Sequence, residues 1–240
     1  MRNNGLIGYG AIGRPVADAI HAGLAGSCRL AGVLTRTPVA LPGALFHTDP
    51  ERFFALPADL YLETAGPAAL AGLGGAALAL ADVWSVSGAA LANDALCEKF
   101  REIGQRTGHR LRLVSGAIGG LDAVTAMSMD PDAQTVVHIT APEIAEAFSG
   151  TAREAAARFP DGANVAAAAA FSGTGLDRTS VHMAPGAGPR SRQLRVSITS
   201  AFGSFNSSLK PSPDPGRRLH VAAASLIAAL RQAEATIWIG

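Results

Sequence analysis

Two hydrophobic patterns divide the chain. Up to about residue 115, short apolar runs alternate with longer segments whose apolar residues recur every three or four positions. "GLIGYG" (5–10) is an apolar run closing on glycine. "AIGRPVADAIHAGL" follows, with Ile12, Val16, Ile20 and Leu24 four apart along one predicted helix face. "CRLAGVLTR", "DLYLETAG", "DVWSVSG" and "HRLRLVSG" repeat the strand pattern, and "ANDALCEKFREIGQRTG" is an amphipathic helix. The longest apolar stretch, 65–81, contains Pro67, Gly72, Gly74 and Gly75, which predict a short helix and a turn rather than a membrane span. Strands alternating with helices require crossovers, so a parallel sheet is expected.

Beyond Ser115 the period changes. "QTVVHIT", "DRTSVHMA", "RQLRVSITSAF" and "GSFNSSLK" alternate or are rich in β-branched residues, which predicts a mixed or antiparallel sheet. Helices are expected at 151–158 and 164–171, where the 166–170 alanine run reads as a close-packing face. "KPSPDPG" is a proline-rich break before a long helix with an apolar face that should pack back on the body. The expected organisation is α/β, with a parallel-sheet domain over 1–115, a mixed α/β domain over 116–215, and a C-terminal helix over 216–240.

Composition narrows the classes. The 240 residues are 48% hydrophobic and 16% charged, as in an ordered globular protein. A net charge of +1 offers no electrostatic basis for binding nucleic acid or an acidic membrane. Cys28 and Cys97 have no metal-ligand spacing and read as small buried hydrophobes, and no metal is expected. "MRNN" runs straight into the first strand without a signal-peptide pattern, so the expected location is cytoplasmic.

Candidate chemistry starts at Gly8, Gly10 and Gly13, a G-x-G-x-x-G that ends a predicted strand and opens a predicted helix. The first glycine permits the tight turn, the second lets backbone approach a diphosphate, and the third lets helix and strand pack closely. N–H groups of the turn, including Ala11 and Ile12, then face the anion at the positive end of the helix dipole. An acidic residue at the end of the second strand would hold the ribose hydroxyl of NAD. Here the chain reads Thr35, Arg36, Thr37, and a guanidinium suits a 2′-phosphate. NADP(H) is the expected cofactor, with NAD(H) as the alternative.

"GYGAIG", "LETAGPAAL", "SVSGAAL", "SGAIGGLDA", "FPDGANVAA", "GTGLDRTSV" and "SAFGSF" occur in that order. Together they resemble the L-aspartate dehydrogenase family over nearly the whole chain. The resemblance implies a Rossmann domain followed by a mixed α/β substrate and dimerisation domain. It also implies a homodimer, a small-molecule substrate, and NAD(P)-linked interconversion of an amino acid with an imino or keto acid. Ala117 and Asn164 match family positions that contact the cofactor. Residues 65–67 (Ala65, Gly66, Pro67) and Ser87–Gly88 fall where strand ends face the nicotinamide.

Three departures accompany the resemblance. The family's Asn-x-His, whose histidine is regarded as catalytic, aligns with Arg192 and Leu194. The segment before "FP" is shortened and lacks the family's Lys-Pro-Pro, and the family's "NPKTS" is replaced by "DPGRR" at 214–218. Leucine moves no proton. The expected activity is therefore hydride transfer to or from an amino-acid-like imine or amine, with a substrate altered from aspartate. Retained aspartate dehydrogenase activity and a non-catalytic dinucleotide-binding protein stand as alternatives. His220 is the candidate replacement acid, while Arg192, Arg217 and Arg218 are candidate partners of a substrate anion. His138 and His182, in alternating strand patterns, read as non-catalytic, and the sequence offers no partner for Glu63.

Overall fold

The computed structural model describes residues 1–38, 46–188, 190–212 and 220–237. It divides into two units, Met1–Val114 with Arg218–Gly240, and Ser115–Arg217. The first unit contains β1 (Arg2–Ile7), α1 (Gly13–His21), β2 (Cys28–Leu34), β3 (Phe46–His47), α2 (Pro50–Phe54), β4 (Leu60–Glu63), α3 (Pro67–Leu80) and β5 (Asp82–Ser85). A 3-10 turn at Gly88–Ala92, α4 (Asp94–Thr107) and β6 (Leu111–Leu113) follow. The second unit holds α5 (Leu121–Met127), β7 (Gln134–Ala141), β8 (Phe148–Thr151), α6 (Ala152–Arg158), α7 (Asn164–Ser172), β9 (Ser180–Pro185), β10 (Gln193–Ser200) and β11 (Gly203–Leu209). The last helix, α8 (Val221–Gln232), belongs to the first unit.

Among the described residues, β1 to β6 form one parallel sheet in the order β3-β2-β1-β4-β5-β6. The order reverses between β1 and β4, where the carboxyl ends of an open α/β sheet leave a crevice. Both faces are covered, which explains why β4 reads as a continuous apolar run with all four residues buried. Leu60 and Leu62 lie with Val16, Ile20, Ala223, Leu226 and Leu230 of α1 and α8 on one side. Tyr61 lies with Leu70, Leu78 and Phe100 of α3 and α4 on the other.

Two sequence expectations change here. The 65–81 stretch forms one 14-residue helix, α3, rather than a short helix and a turn. Its glycines serve packing: a Cβ at Gly74 would meet the Phe100 ring at 2.9 Å, and one at Gly75 would meet Lys99 at 3.3 Å. Small residues therefore let α3 lie close against α4, and that burial outweighs the low helix propensity of glycine. Helix α1 ends at His21, and Gly23 at φ +69° turns the chain, so Leu24 leaves the predicted face and is exposed.

The second sheet has the order β11-β10-β7-β9-β8, with β7 and β9 parallel and the other pairs antiparallel. Along β7, Thr135, Val137, Ile139 and Ala141 are buried while the intervening residues are more exposed, the period of a sheet covered on one face. Helix α7 lies against β7, and all of Ala166, Ala167, Ala168, Ala169 and Ala170 are buried. Among the described residues no helix is long and apolar enough to cross a membrane. No group of three or more His, Cys, Asp or Glu among them could hold a metal ion.

Leu226 of α8 is fully buried against the α1 face of the first sheet. Leu226→Ala should lower stability by about 2–5 kcal/mol, read from urea unfolding. A loss below about 0.5 kcal/mol, the range of exposed-surface changes, would contradict the docking of α8.

Candidate dinucleotide-binding site

The residues predicted to bind cofactor in the first unit gather at one edge of the parallel sheet, because the carboxyl ends of parallel strands point the same way. The glycine turn follows β1, Arg36 follows β2, Ala65, Gly66 and Pro67 follow β4, and Ser87 and Gly88 follow β5. Each glycine of the turn has a different local reason. Gly8 has φ +96°, and a Cβ there would lie 2.7 Å from that of Ala65. A Cβ at Gly13 would lie 2.1 Å from the Gly8 carbonyl oxygen and 2.7 Å from Thr64 Oγ1. At Gly10 neither constraint applies: φ is not positive, and a Cβ would meet nothing within 4 Å. The protein's own packing does not require glycine there, so the open space above Gly10 is free for a ligand.

The turn is fixed from two sides. The Gly8 N–H donates to the Leu34 carbonyl at 2.9 Å, tying it to the end of β2. Thr64 donates its N–H to Ile7 O at 2.9 Å, and its hydroxyl lies 3.1 Å from Ile7 O and 3.2 Å from Gly8 O. Tyr9 packs edge-on against Phe46 and carries the Arg14 guanidinium 5.3 Å from its ring centroid. Ile12, the residue before α1, provides no side-chain cap, and Ala11 is exposed. At the end of β2, the Thr35 hydroxyl donates to Thr37 O at 2.7 Å, and Arg36 is exposed.

Sequence reasoning gave Glu63 no partner, and the structure supplies several. Its side chain is fully buried at the end of β4. Oε1 accepts N–H bonds from Ala65 at 2.7 Å and Gly66 at 2.9 Å, while Oε2 accepts the Ser85 hydroxyl at 2.5 Å. The Ser87 N–H donates to Ser85 Oγ at 2.9 Å, which carries the chain of bonds to the end of β5. Burial pushes the Glu63 carboxyl above the usual carboxylate range, opposed in part by the donors that face it.

The remaining predicted residues have different surroundings. Leu194 is buried on β10 beside Ile139 and opposite Leu209, on the apolar face with Val196 and Ile198. Arg192 forms a partly exposed ion pair with Glu143. Asn164 opens α7, and Ala117 lies in the turn before α5. His220 caps α8: its Nδ1 accepts the Ala222 N–H at 3.1 Å, which places the proton of the neutral ring on Nε2. Arg217 and Arg218 lie outside the described residues. His138 and His182 are cross-strand neighbours with rings stacked 4.9 Å apart, and His182 Nδ1 meets the Ser149 hydroxyl at 3.0 Å. Burial, then the charges of His182 and Arg195, holds His138 below the ordinary histidine value. Cys97 is half-buried rather than buried, and its thiol donates to Leu91 O at 2.9 Å.

A parallel sheet of this order, with a glycine turn at its reversal point and a mixed-sheet domain after it in the chain, defines a dinucleotide-binding protein of the Rossmann class. Residues 8–114 match the homoserine dehydrogenase NAD-binding domain, and residues 113–233 match the aspartate dehydrogenase C-terminal domain. The chain belongs to the aspartate dehydrogenase family. It is 34% identical to L-aspartate dehydrogenase 2 of Bordetella pertussis over 98% of both chains. It is likewise 34% identical to L-aspartate dehydrogenase of Ruegeria pomeroyi, over 97% of this chain and 92% of the relative. Among solved structures, aspartate dehydrogenase from Thermotoga maritima superposes with a TM-score of 0.82 over 100% of both chains at 21% identity, a likeness of fold.

The raised Glu63 carboxyl has a definite sign in stability. The folded state keeps a proton that the unfolded chain releases above its ordinary value of about 4.3, so this contribution is lost as pH rises. Urea unfolding of wild type and Glu63→Gln from about pH 4 to 8 should show wild type losing ground to the variant as pH increases. A constant difference, or a gain by wild type, would show that the carboxyl is not held protonated.

Proposed function

We propose that this chain is an NADP(H)-dependent oxidoreductase that transfers hydride to or from an amino-acid-like imine or amine, with a substrate altered from aspartate. The observation that carries the cofactor half is the unfilled space above Gly10, within a turn whose other two glycines are fixed by contacts of their own. In this reading the N–H groups of the turn hold the diphosphate, and Arg36 takes the 2′-phosphate at the end of β2. Ala65 to Pro67 and Ser87–Gly88 border the nicotinamide, with Ala117 and Asn164 as further contacts. The cofactor supplies a hydride; the protein's work is to orient it, exclude water and move one proton.

The altered substrate rests on Leu194. A side chain packed among Ile139, Val196 and Leu209 can neither take a proton from an ammonium group nor polarise a carbonyl. A preformed imine needs less from the protein, since the electrophile is already activated and positioning supplies much of the acceleration. His220 is the proposed proton carrier. Arg192, paired with the exposed Glu143, stands with Arg217 and Arg218 as a proposed partner of a substrate anion. Identity to proteins named L-aspartate dehydrogenase over almost the whole chain favours retained aspartate activity as the second reading.

The two readings separate in a steady-state assay of oxaloacetate plus ammonia with NADPH, run beside preformed cyclic imines. The proposal expects faster NADPH oxidation with an imine. Turnover of oxaloacetate near the enzyme median of about 10 per second would establish the second reading instead. The cofactor assignment has its own variant. Arg36→Glu should weaken NADPH binding about tenfold to a hundredfold while leaving NADH binding unchanged or tighter, as read by fluorescence titration. An unchanged NADPH preference would remove Arg36 from the site.

A further inference from the structure

The buried carboxyl of Glu63 is a costly group to keep in a core unless donors satisfy it. The hydrogen bonds it accepts have a common address, the carboxyl ends of β4 and β5. Two are the N–H groups of Ala65 and Gly66, which converge on one oxygen, and the third is the Ser85 hydroxyl on the neighbouring strand. The carboxyl thus clamps the 64–67 turn to the ends of β4 and β5. That turn needs a clamp: Gly66 sits at φ +107°, ψ 172°, a conformation open essentially to glycine alone and not self-maintaining. With both N–H groups drawn inward, these positions offer no amide donor that would compete with the glycine turn for phosphate.

Two residues of that turn also brace the glycine turn. Thr64 bonds to Ile7 and Gly8 carbonyls, and Ala65 sits where a Cβ on Gly8 would have to go. The glycine turn also has a tie of its own, the Gly8 N–H to the Leu34 carbonyl, so its hold on a diphosphate does not depend on Glu63. We propose that Glu63 is a positioning residue, whose carboxyl fixes the 64–67 turn so that Ala65 and Gly66 form a rigid seat for the nicotinamide end of the cofactor. This rests on the cofactor reading above. Glu63 touches neither cofactor nor substrate and acts through the turn it holds.

Two readouts test it without a known substrate. The first is amide hydrogen exchange of residues 65 and 66 in the cofactor-free chain, and the second is the nicotinamide emission of bound NADPH, followed together with its dissociation constant. Glu63→Ala should accelerate exchange at these two amides about tenfold or more, beyond any change elsewhere in the sheet. Emission should fall back toward that of free NADPH while the dissociation constant changes less than about threefold, because the glycine turn holds the diphosphate. Glu63→Gln keeps an oxygen for both N–H groups and should retain both signals. Should Glu63→Ala fail to fold, Ser85→Ala removes the anchor on Oε2 together with the acceptor of the Ser87 N–H, and exchange at 65 and 66 should still quicken.

Unchanged exchange in the first variant that folds overturns the clamp. Emission and affinity that fall in parallel, or exchange that quickens uniformly, reduce Glu63 to a general stability residue and overturn its positioning role. A wild-type chain that binds no NADPH overturns the cofactor reading and the nicotinamide seat with it, whereas the exchange result still decides the clamp.

Discussion

Helix α1 approaches the turn before it so closely that a side chain at Gly13 has nowhere to go: a Cβ would lie 2.1 Å from the Gly8 carbonyl oxygen. Much of the first unit follows from that approach. It aims the start of α1 at the carboxyl edge of the sheet, where the strand order reverses between β1 and β4. It also brings the Gly8 carbonyl within reach of the Thr64 hydroxyl, so the turns after β1 and β4 are set as one piece. A dinucleotide lying across this edge would meet a surface whose shape is fixed before it arrives, which lowers the entropic cost of ordering it.

The second constraint is the satisfaction of Glu63. A hydrophobic residue of similar size would be easier to bury, yet the carboxyl does what an apolar side chain cannot, gathering two N–H groups and a hydroxyl at one point. Its raised affinity for a proton is the electrostatic consequence of that burial. In the second unit, by contrast, Leu194 fills a position with apolar surface on β10, between Ile139 and Leu209. The carboxyl edge of the first sheet carries polar devices, while this position of the mixed sheet is buried and apolar. That contrast underlies a reading in which nicotinamide chemistry persists and the substrate changes.

Much of this was legible from residues alone. The glycine spacing and the alternation of strand and helix patterns predict the parallel sheet, because those signals are local. Elements with little local signal escaped: β3 is two residues long, α2 five, and β8 and α5 are short and defined by what they pack against. Helix α3 departs from its sequence pattern because glycine signals a break in isolation, whereas here the partner is Phe100, far along the chain. Leu24 fitted a four-residue period that the turn at Gly23 ends. Glu63 stood without a role because Ser85 lies 22 residues away and becomes its neighbour only when β4 pairs with β5. Likewise, nothing in the sequence ties Arg192 to Glu143, 49 residues earlier.

The central claim is that the space above Gly10 exists for a dinucleotide, and it can be tested by titrating wild type and Gly10→Ala with NADPH under identical conditions. The added methyl meets no protein atom within 4 Å, so the variant should melt at the same temperature as wild type. Its affinity for NADPH should nevertheless fall by about tenfold or more, because the methyl occupies the place of the diphosphate. An equally stable Gly10→Ala that binds NADPH as tightly as wild type would contradict the account.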